Sequence, residues 1–447
     1  SEEQSSQARS QPNRGQSRQV VLSEVLAQAY NLGAQTAVVE FRYVDADYRD
    51  EHSRFYSTTF RRYPSVAHRI HFFAETITEG ARDPNVPLTF EGLTYLGYLV
   101  LRPVPGAPVG RVLLAPPPYL SGHVTCIATD RVNLFGEQHS IRGAPFLAQD
   151  AQLLRCAHAA LWVVARHHHL RWGAPRRLSH DIVDAVPLES AAGRVVPSPG
   201  LTISQMSAAA TRLGLPPLVY DLRHLPGHET LQRIACRYLN SGLPVIVAGR
   251  GHAFVLVGYR RTDEGTPDER IEFIRQDDEA GPYQVVPDFG VDTYTPWQFF
   301  IVPLPAKLYV AAEEAEVLGD LWLRLIFGRE GGPVDRSSHA LRTTAMLSND
   351  FKAGLRARGV LDEQAATLRR TPMSRWVWIV ELVDRSLRRA GRRAVIGEVV
   401  IDSTDHARDR RPLAWRTPST VGVFGPDTRE LRVASISSPA SPVAFAN

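Results

Sequence analysis

The stretch LPVIVAGRGHAFVLVGYRRTDEGTPDERIEFIRQDDEAG, residues 243–281, limits what this chain can become more than any other. PVIVA, HAFVLVGY and RIEFIRQ are short apolar runs rich in β-branched and aromatic residues, and each reads as a strand. PWQFFIVPLP, 296–305, reads as a fourth, ended by prolines. The polar turn RRTDEGTPDE joins the second run to the third, so 252–259 and 270–276 are expected to form a hairpin. With Tyr259 opposite residue 270, the same register sets position 277 opposite 252. The head of one strand and the end of the next then meet at one end of the sheet.

Helices surround these strands. AQDAQLLRCAHAALWVVARHHH, 148–169, carries Ala157, Ala160, Leu161 and Val164 at the spacing of a buried helical stripe. GLTISQMSAAATRLGLPP is a helix with Thr202 or Ser204 as its cap and Gly214 at its close. ETLQRIACRYLNSG is another, stopped by Gly242. Helices mixed with hairpins give an α+β fold. Residues 1–19 hold no apolar side chain larger than Ala and read as a disordered tail. Residues 20–130 form an N-terminal α/β region: VVLSEVLAQAYNLG a helix, TAVVEFRYV a strand, FYSTTFRRYPSVAHRIHFF a helix or helix pair, and LTYLGYLVLRPVPGAPVGRVLLAPP two strands. Residues 131–310 form the core, and 311–447 a C-terminal α/β region with the helix AAEEAEVLGDLWLRLIFG and the segments RWVWIVELV and AVIGEVVIDST.

Three residues in the core could carry chemistry. Cys156 stands at the first turn of its helix, where the positive end of the dipole and free N–H groups favour a thiolate. A lone cysteine there can equally be a small buried hydrophobe. His252 follows Gly251 at the head of an apolar strand, at the edge of the core. Asp277 closes the next strand, from where it can accept a hydrogen bond from the far imidazole nitrogen of His252 and orient the ring. Asp278 is the alternative acid. As the next residue along a strand end it should point the other way, so Asp278→Asn should be nearly silent.

In that order and context, the chain resembles the papain-like cysteine peptidase superfamily, closest to the bacterial branch that includes the bacteriocin-leader peptidases. The likeness covers roughly residues 140–305: a Gln, a Cys at a helix start, a helix of the GLTISQ type, L-x-x-G-x-P-V-I, a Gly-His-apolar strand ending in Gly-Tyr, and a strand ending at Asp a few residues before Gly281. The resemblance implies a papain-like fold with Cys156 as nucleophile, His252 as general base and Asp277 as orienting acid. The oxyanion glutamine would be Gln149, with Gln152 as competitor. Ala157 stands where such peptidases often carry Gly. The implied activity is a thiol hydrolase cleaving a peptide or isopeptide bond, without cofactor or metal. The same apparatus serves an acyltransferase, and a non-catalytic papain-like binding module is the rival from another class. A protein or peptide substrate follows, and the N- and C-terminal regions are candidates for partner-protein contacts.

Composition bounds the rest. Of 447 residues 44% are hydrophobic and 22% charged, as in ordinary globular proteins. The formal charge is +4, but the basic residues are almost all Arg and scattered, with Lys307 and Lys352 the only lysines. That suits a GC-rich bacterial genome and leaves no localised basic footprint for nucleic acid. No apolar run approaches the ~18 residues of a membrane span. No secretory leader is visible, so a cytoplasmic protein is expected. The three cysteines show no metal or disulfide spacing. HHH at 167–169 cannot converge on one ion from adjacent helical positions and reads as a solvated helix end. HLPGHE, 224–229, is broken by Pro-Gly, SGHVTC offers His123 and Cys126 without a second pair, and FGREGGPVDRSS lacks the ending of a phosphate loop. Glu381 and Asp402 lie in apolar strands with nothing to bring them together.

Overall fold

The computed structural model describes residues 14–77, 89–150, 152–187, 200–225, 228–249, 251–262, 270–286, 297–329, 337–386, 395–404, 411–425 and 431–435. They form two compact units. Both mix helices with antiparallel sheets, so the chain is an α+β protein. Among the described residues no helix is long and apolar enough to cross a membrane.

The first unit takes the described residues up to Leu225, together with Pro244–Thr262 and Arg270–Pro303. Its helices are α1 (Arg14–Asn31), α2 (Ala46–Arg54), α3 (Cys156–Trp172), α4 (Ser179–Asp184) and α5 (Ile203–Arg212). Strands β1 (Thr36–Tyr43), β2 (Ala67–Phe73), β3 (Tyr95–Leu101), β4 (Val109–Leu114) and β7 (Phe146–Leu147) form one antiparallel sheet in that order. β5 (Ala128–Leu134) and β6 (Glu137–Gly143) form a separate hairpin. α1 lays Val21, Val25 and Ala29, spaced four apart, on Phe72, Leu99, Val112 and Leu114. Fully burying each such valine contributes about 1.5–3 kcal/mol. A second core gathers Tyr48 and Tyr56 with Tyr98, Leu113 and the hairpin residues Val132 and Ile141.

The second sheet runs in the order β12 (Gly281–Val286), β11 (Arg270–Asp277), β10 (Ala253–Thr262), β9 (Val245–Gly249), β13 (Trp297–Pro303), β8 (Pro217–Asp221). The four expected strands are all in it. β8 and β12 are additions, drawn from PLVYD and GPYQVV. α3 packs against β10, and α5 is capped by Thr202, whose Oγ1 accepts from the Gln205 N–H at 3.2 Å.

Several expectations change. α1 begins at Arg14, so helix replaces the last part of the expected disordered tail, and 1–13 lie outside the described residues. The segment 55–73 is not a helix pair: it holds one 3-10 turn, Tyr56–Thr58, and then β2. The boundary expected at 130/131 falls inside β5, and β7 pairs with β4, so both sides of that boundary share one unit. HHH is not a solvated end. His167 and His168 are each 1% exposed, because α3 is buried nearly all round and runs on to Trp172, against which both rings pack. Gly173, at φ +69°, ends it.

The second unit contains α6 (His228–Asn240), α7 (Ala312–Arg329), α8 (Ser348–Ala353) and α9 (Asp362–Arg370). Its sheet is an antiparallel meander: β14 (His339–Leu347), β15 (Trp376–Asp384), β16 (Val395–Asp402), β17 (Ala414–Arg416), β18 (Thr420–Phe424) and β19 (Leu431–Ser435). Phe351, Leu355 and Leu368 of the α8–α9 segment pack on Val377, Ile379 and Val400. Glu381 faces Glu398 across the ladder, whereas Asp402 faces Val377. Both glutamates are held by arginines: Arg358 bridges them, Arg342 binds Glu381, and Arg416 binds Glu398 at 3.1 Å.

Candidate active site

The site in the first unit is assembled at the start of α3 and at adjoining ends of β10 and β11. Just before α3, Asp150 Oδ1 accepts from the backbone N–H groups of Gln152, Leu153 and Leu154 at 2.9, 3.0 and 2.8 Å. Arg155 is the extended N-cap residue, and its N–H donates to His158 Nδ1 at 3.4 Å. Cys156 is therefore the first helical residue, where backbone N–H groups have no intrahelical acceptor. It is partly exposed, whereas Cys126 and Cys236 are buried. Burial pushes the Cys126 thiol up to about 12, which makes it inert.

His252 sits one residue ahead of β10, after Gly251 at φ +82°, a conformation that suits glycine. Its ring neighbours Phe254 at 6.0 Å between centroids. His252 Nε2 and Asp277 Oδ1 are 2.9 Å apart, and Cys156 is among the groups that hold the proton on the ring. Asp277, 3% exposed, closes β11. Its Oδ1 accepts from the Glu279 N–H at 3.1 Å, and its Oδ2 lies 3.3 Å from Arg275 Nε.

The charges fit a pair. Burial pulls the His252 imidazolium down. The charge and hydrogen bond of Asp277, the Cys156 side chain and the charge of Asp278 outweigh it and hold the ring well above its ordinary range. Burial raises the Asp277 carboxyl, but His252 and Arg275 keep it below the usual carboxylate range. The two directions agree: Asp277 stays ionised and favours a protonated ring.

The hairpin register differs from the expected one. Thr262 faces Arg270 and Tyr259 faces Phe273, and the pairing slips between Leu256 and Gly258, so that Val255 faces Gln276. The irregularity has a cause in the chain: Val257 O accepts from the N–H groups of Thr125 and Cys126 at 3.1 and 2.9 Å, and Tyr259 N–H donates to His123 O at 3.0 Å. Positions 252 and 277 are thus not cross-strand partners, and the contact is made by the side chains reaching toward each other.

Gln149 lies just past β7, and its Nε2 donates to Glu279 Oε1 at 2.9 Å, which ties it to the turn after Asp277. Gln152 is half-buried beside Cys156 in sequence. Asp278 does not point away. β11 ends at Asp277, so strand alternation no longer governs the next residue. Asp278 is 7% exposed, its charge reaches His252, and Oδ2 has no hydrogen-bond partner. Burial and the charges of Asp277 and Glu279, against that of His252, raise its carboxyl well above the usual range. The sequence offered Asp278 only as the alternative acid, since DDEAG reads as a turn whichever way its second Asp faces. Ala157, where papain-like peptidases often carry Gly, is buried. Compared with models of known protein families and with curated proteins, the chain has no match.

Proposed function

We propose that the chain is a papain-like thiol hydrolase acting on a peptide or isopeptide bond through Cys156, His252 and Asp277. The observation that carries this reading is the 2.9 Å contact between the His252 ring and Asp277 Oδ1, with Cys156 among the groups that hold the proton on that ring. A half-exposed thiol at a helix start, a base within reach and an acid behind the base are the parts that nucleophilic catalysis requires. Cys156 and His252 stand as a thiolate–imidazolium pair, the thiol's proton already held on the ring, and the thiolate attacks the carbonyl carbon. The developing oxyanion is met by the Cys156 backbone N–H and the side-chain amide of Gln149, released from its exposed bond to Glu279. Protonated His252 gives its proton to the leaving amine. Water, deprotonated by the same ring, then cleaves the thioester. An amine in place of water makes the reaction acyl transfer. A thiol nucleophile works where thiols stay reduced, which suits the cytoplasm.

The test is selective alkylation. Iodoacetamide should modify Cys156 at least tenfold faster than Cys126 or Cys236 in the folded chain, followed by mass spectrometry of the peptides. His252→Ala should slow the modification of Cys156 near neutral pH. Equal labelling of the three thiols, or a rate indifferent to His252→Ala, would overturn the reading.

A further inference from the structure

We infer that His252, Asp277 and Asp278 form a binding site for a divalent transition-metal ion, best fitted to Zn2+, and that the ion silences Cys156 by taking its imidazole partner. One donor atom from each of the three residues lies within 4.8 Å of the others. Four ligands held tetrahedrally about 2.05 Å from zinc stand about 3.3 Å apart, so the 2.9 Å contact opens by about 0.4 Å and the remaining separations, within 4.8 Å, close by at most about 1.5 Å. The independent observation is Asp278. It is more than nine-tenths buried, and its Oδ2 has no hydrogen-bond partner. A buried polar atom left unpaired costs about 1–3 kcal/mol, more for a charged group. Nothing in the thiol mechanism uses this carboxylate, and a cation between it and Asp277 satisfies it.

The donor set selects the class of ion. One imidazole nitrogen with two carboxylate oxygens suits zinc and its first-row neighbours. Ca2+ and Mg2+ want six or more oxygen ligands, which this site does not offer. Arg275 sits 3.3 Å from the other oxygen of Asp277, leaving Oδ1 as the ligand atom on that side. A water completes the shell at the fourth position. With the ion on Nε2, the other ring nitrogen keeps its proton and cannot accept that of Cys156. Once the imidazole is held by the ion it no longer serves the thiol, so metal and thiol chemistry exclude each other. This switching half of the inference rests on the thiol reading, whereas the binding half does not.

The experiment has two arms on the full-length chain, stripped with EDTA. In the first, ZnCl2 is titrated calorimetrically into wild type, Cys156→Ala, Asp278→Asn and Asp278→Ala. One ion per chain should bind wild type and Cys156→Ala, with affinity at least tenfold lower in both Asp278 variants. Asp278→Asn keeps the side-chain shape and guards against misfolding in the alanine variant. In the second arm, the iodoacetamide rate of Cys156 is measured with zinc and with EDTA, and the ratio is taken within each variant. Zinc should slow wild type more than tenfold and leave Asp278→Asn near unity. Absence of zinc binding, binding indifferent to Asp278, or zinc protection of Cys156 that persists in Asp278→Asn would overturn the site. Failure of the thiol reading would appear separately, as a labelling rate in EDTA that ignores His252.

Discussion

Asp277 and Gln149 are the two residues whose roles can be separated by substitution. Asp277 both orients the His252 ring and supplies charge against it. Asp277→Asn keeps the hydrogen bond and loses the charge, so turnover on a peptide substrate should fall by about ten- to a hundredfold without vanishing. That does not exceed the lower end of the 10²–10⁴ that a positioned base provides. Gln149→Ala should lower kcat by on the order of 10²-fold if its amide meets the oxyanion. It should leave the iodoacetamide rate of Cys156 untouched, because alkylation develops no oxyanion. A parallel fall in both rates would assign Gln149 instead to holding the Glu279 turn. At this scale Cys156, one of three cysteines, and His252 and Asp277 stood out because each lies at a strand or helix end where a polar side chain can face a cleft. Asp278 was not, because its direction is set by where β11 stops.

At the scale of elements, periodicity identified what obeyed it and missed what did not. The strands of PVIVA and HAFVLVGY are apolar throughout and were plain. β2 was read as helix because two of its inward positions are Arg69 and His71, both buried and both bound to Glu40, at 2.5 and 2.9 Å. Polar residues inside a strand erase the two-residue alternation on which the reading depends. The β5–β6 hairpin alternates cleanly along β5, and Phe135 and Gly136 at positive φ make its turn, yet inward Asp130 breaks the apolar pattern. The register of β10 against β11 was also beyond the sequence, since the slip comes from residues 123–126, more than a hundred positions away. Gly258 is the position on which that docking turns. A Cβ there would lie 2.2 Å from His123 O and 2.7 Å from Val124 Cα. Gly258→Ala should therefore destabilise the first unit by about 1–3 kcal/mol, the range for overpacking. Because His252 heads the same strand, the variant should also slow the labelling of Cys156 at temperatures where it remains folded. Urea unfolding beside the labelling rate checks both, and wild-type values in each would show that the strand absorbs the methyl group elsewhere.

Across the molecule, the largest gap between sequence and structure concerns which polar residues are inside. The first unit buries Asp45, Asp47, Glu51, Arg102 and Arg111 as bonded groups, together with neutral histidines. A sequence reveals a charged residue's type, whereas its burial depends on partners far along the chain. His168 makes this measurable. Burial pulls its imidazolium down to about 3, and the charge of Arg171 adds to the effect. The ring is thus neutral in the folded chain, while in the unfolded chain it takes up a proton below about 6.5. Between those values the unfolded state binds more protons, so His168 contributes stability above pH 6.5 that is lost progressively as pH falls toward 3. Other groups titrate in the same window, so the wild-type curve alone does not isolate this one. The difference between wild type and His168→Gln does. At pH 7 the variant should be the less stable, through lost packing against Trp172. As pH falls from 6.5 to 4 the gap should close, with a slope approaching about 1.4 kcal/mol per pH unit. Urea unfolding followed by tryptophan fluorescence at pH 7, 6, 5 and 4 gives the difference directly. A gap that stays constant over that range would mean that the ring is already charged, or solvated, in the folded protein.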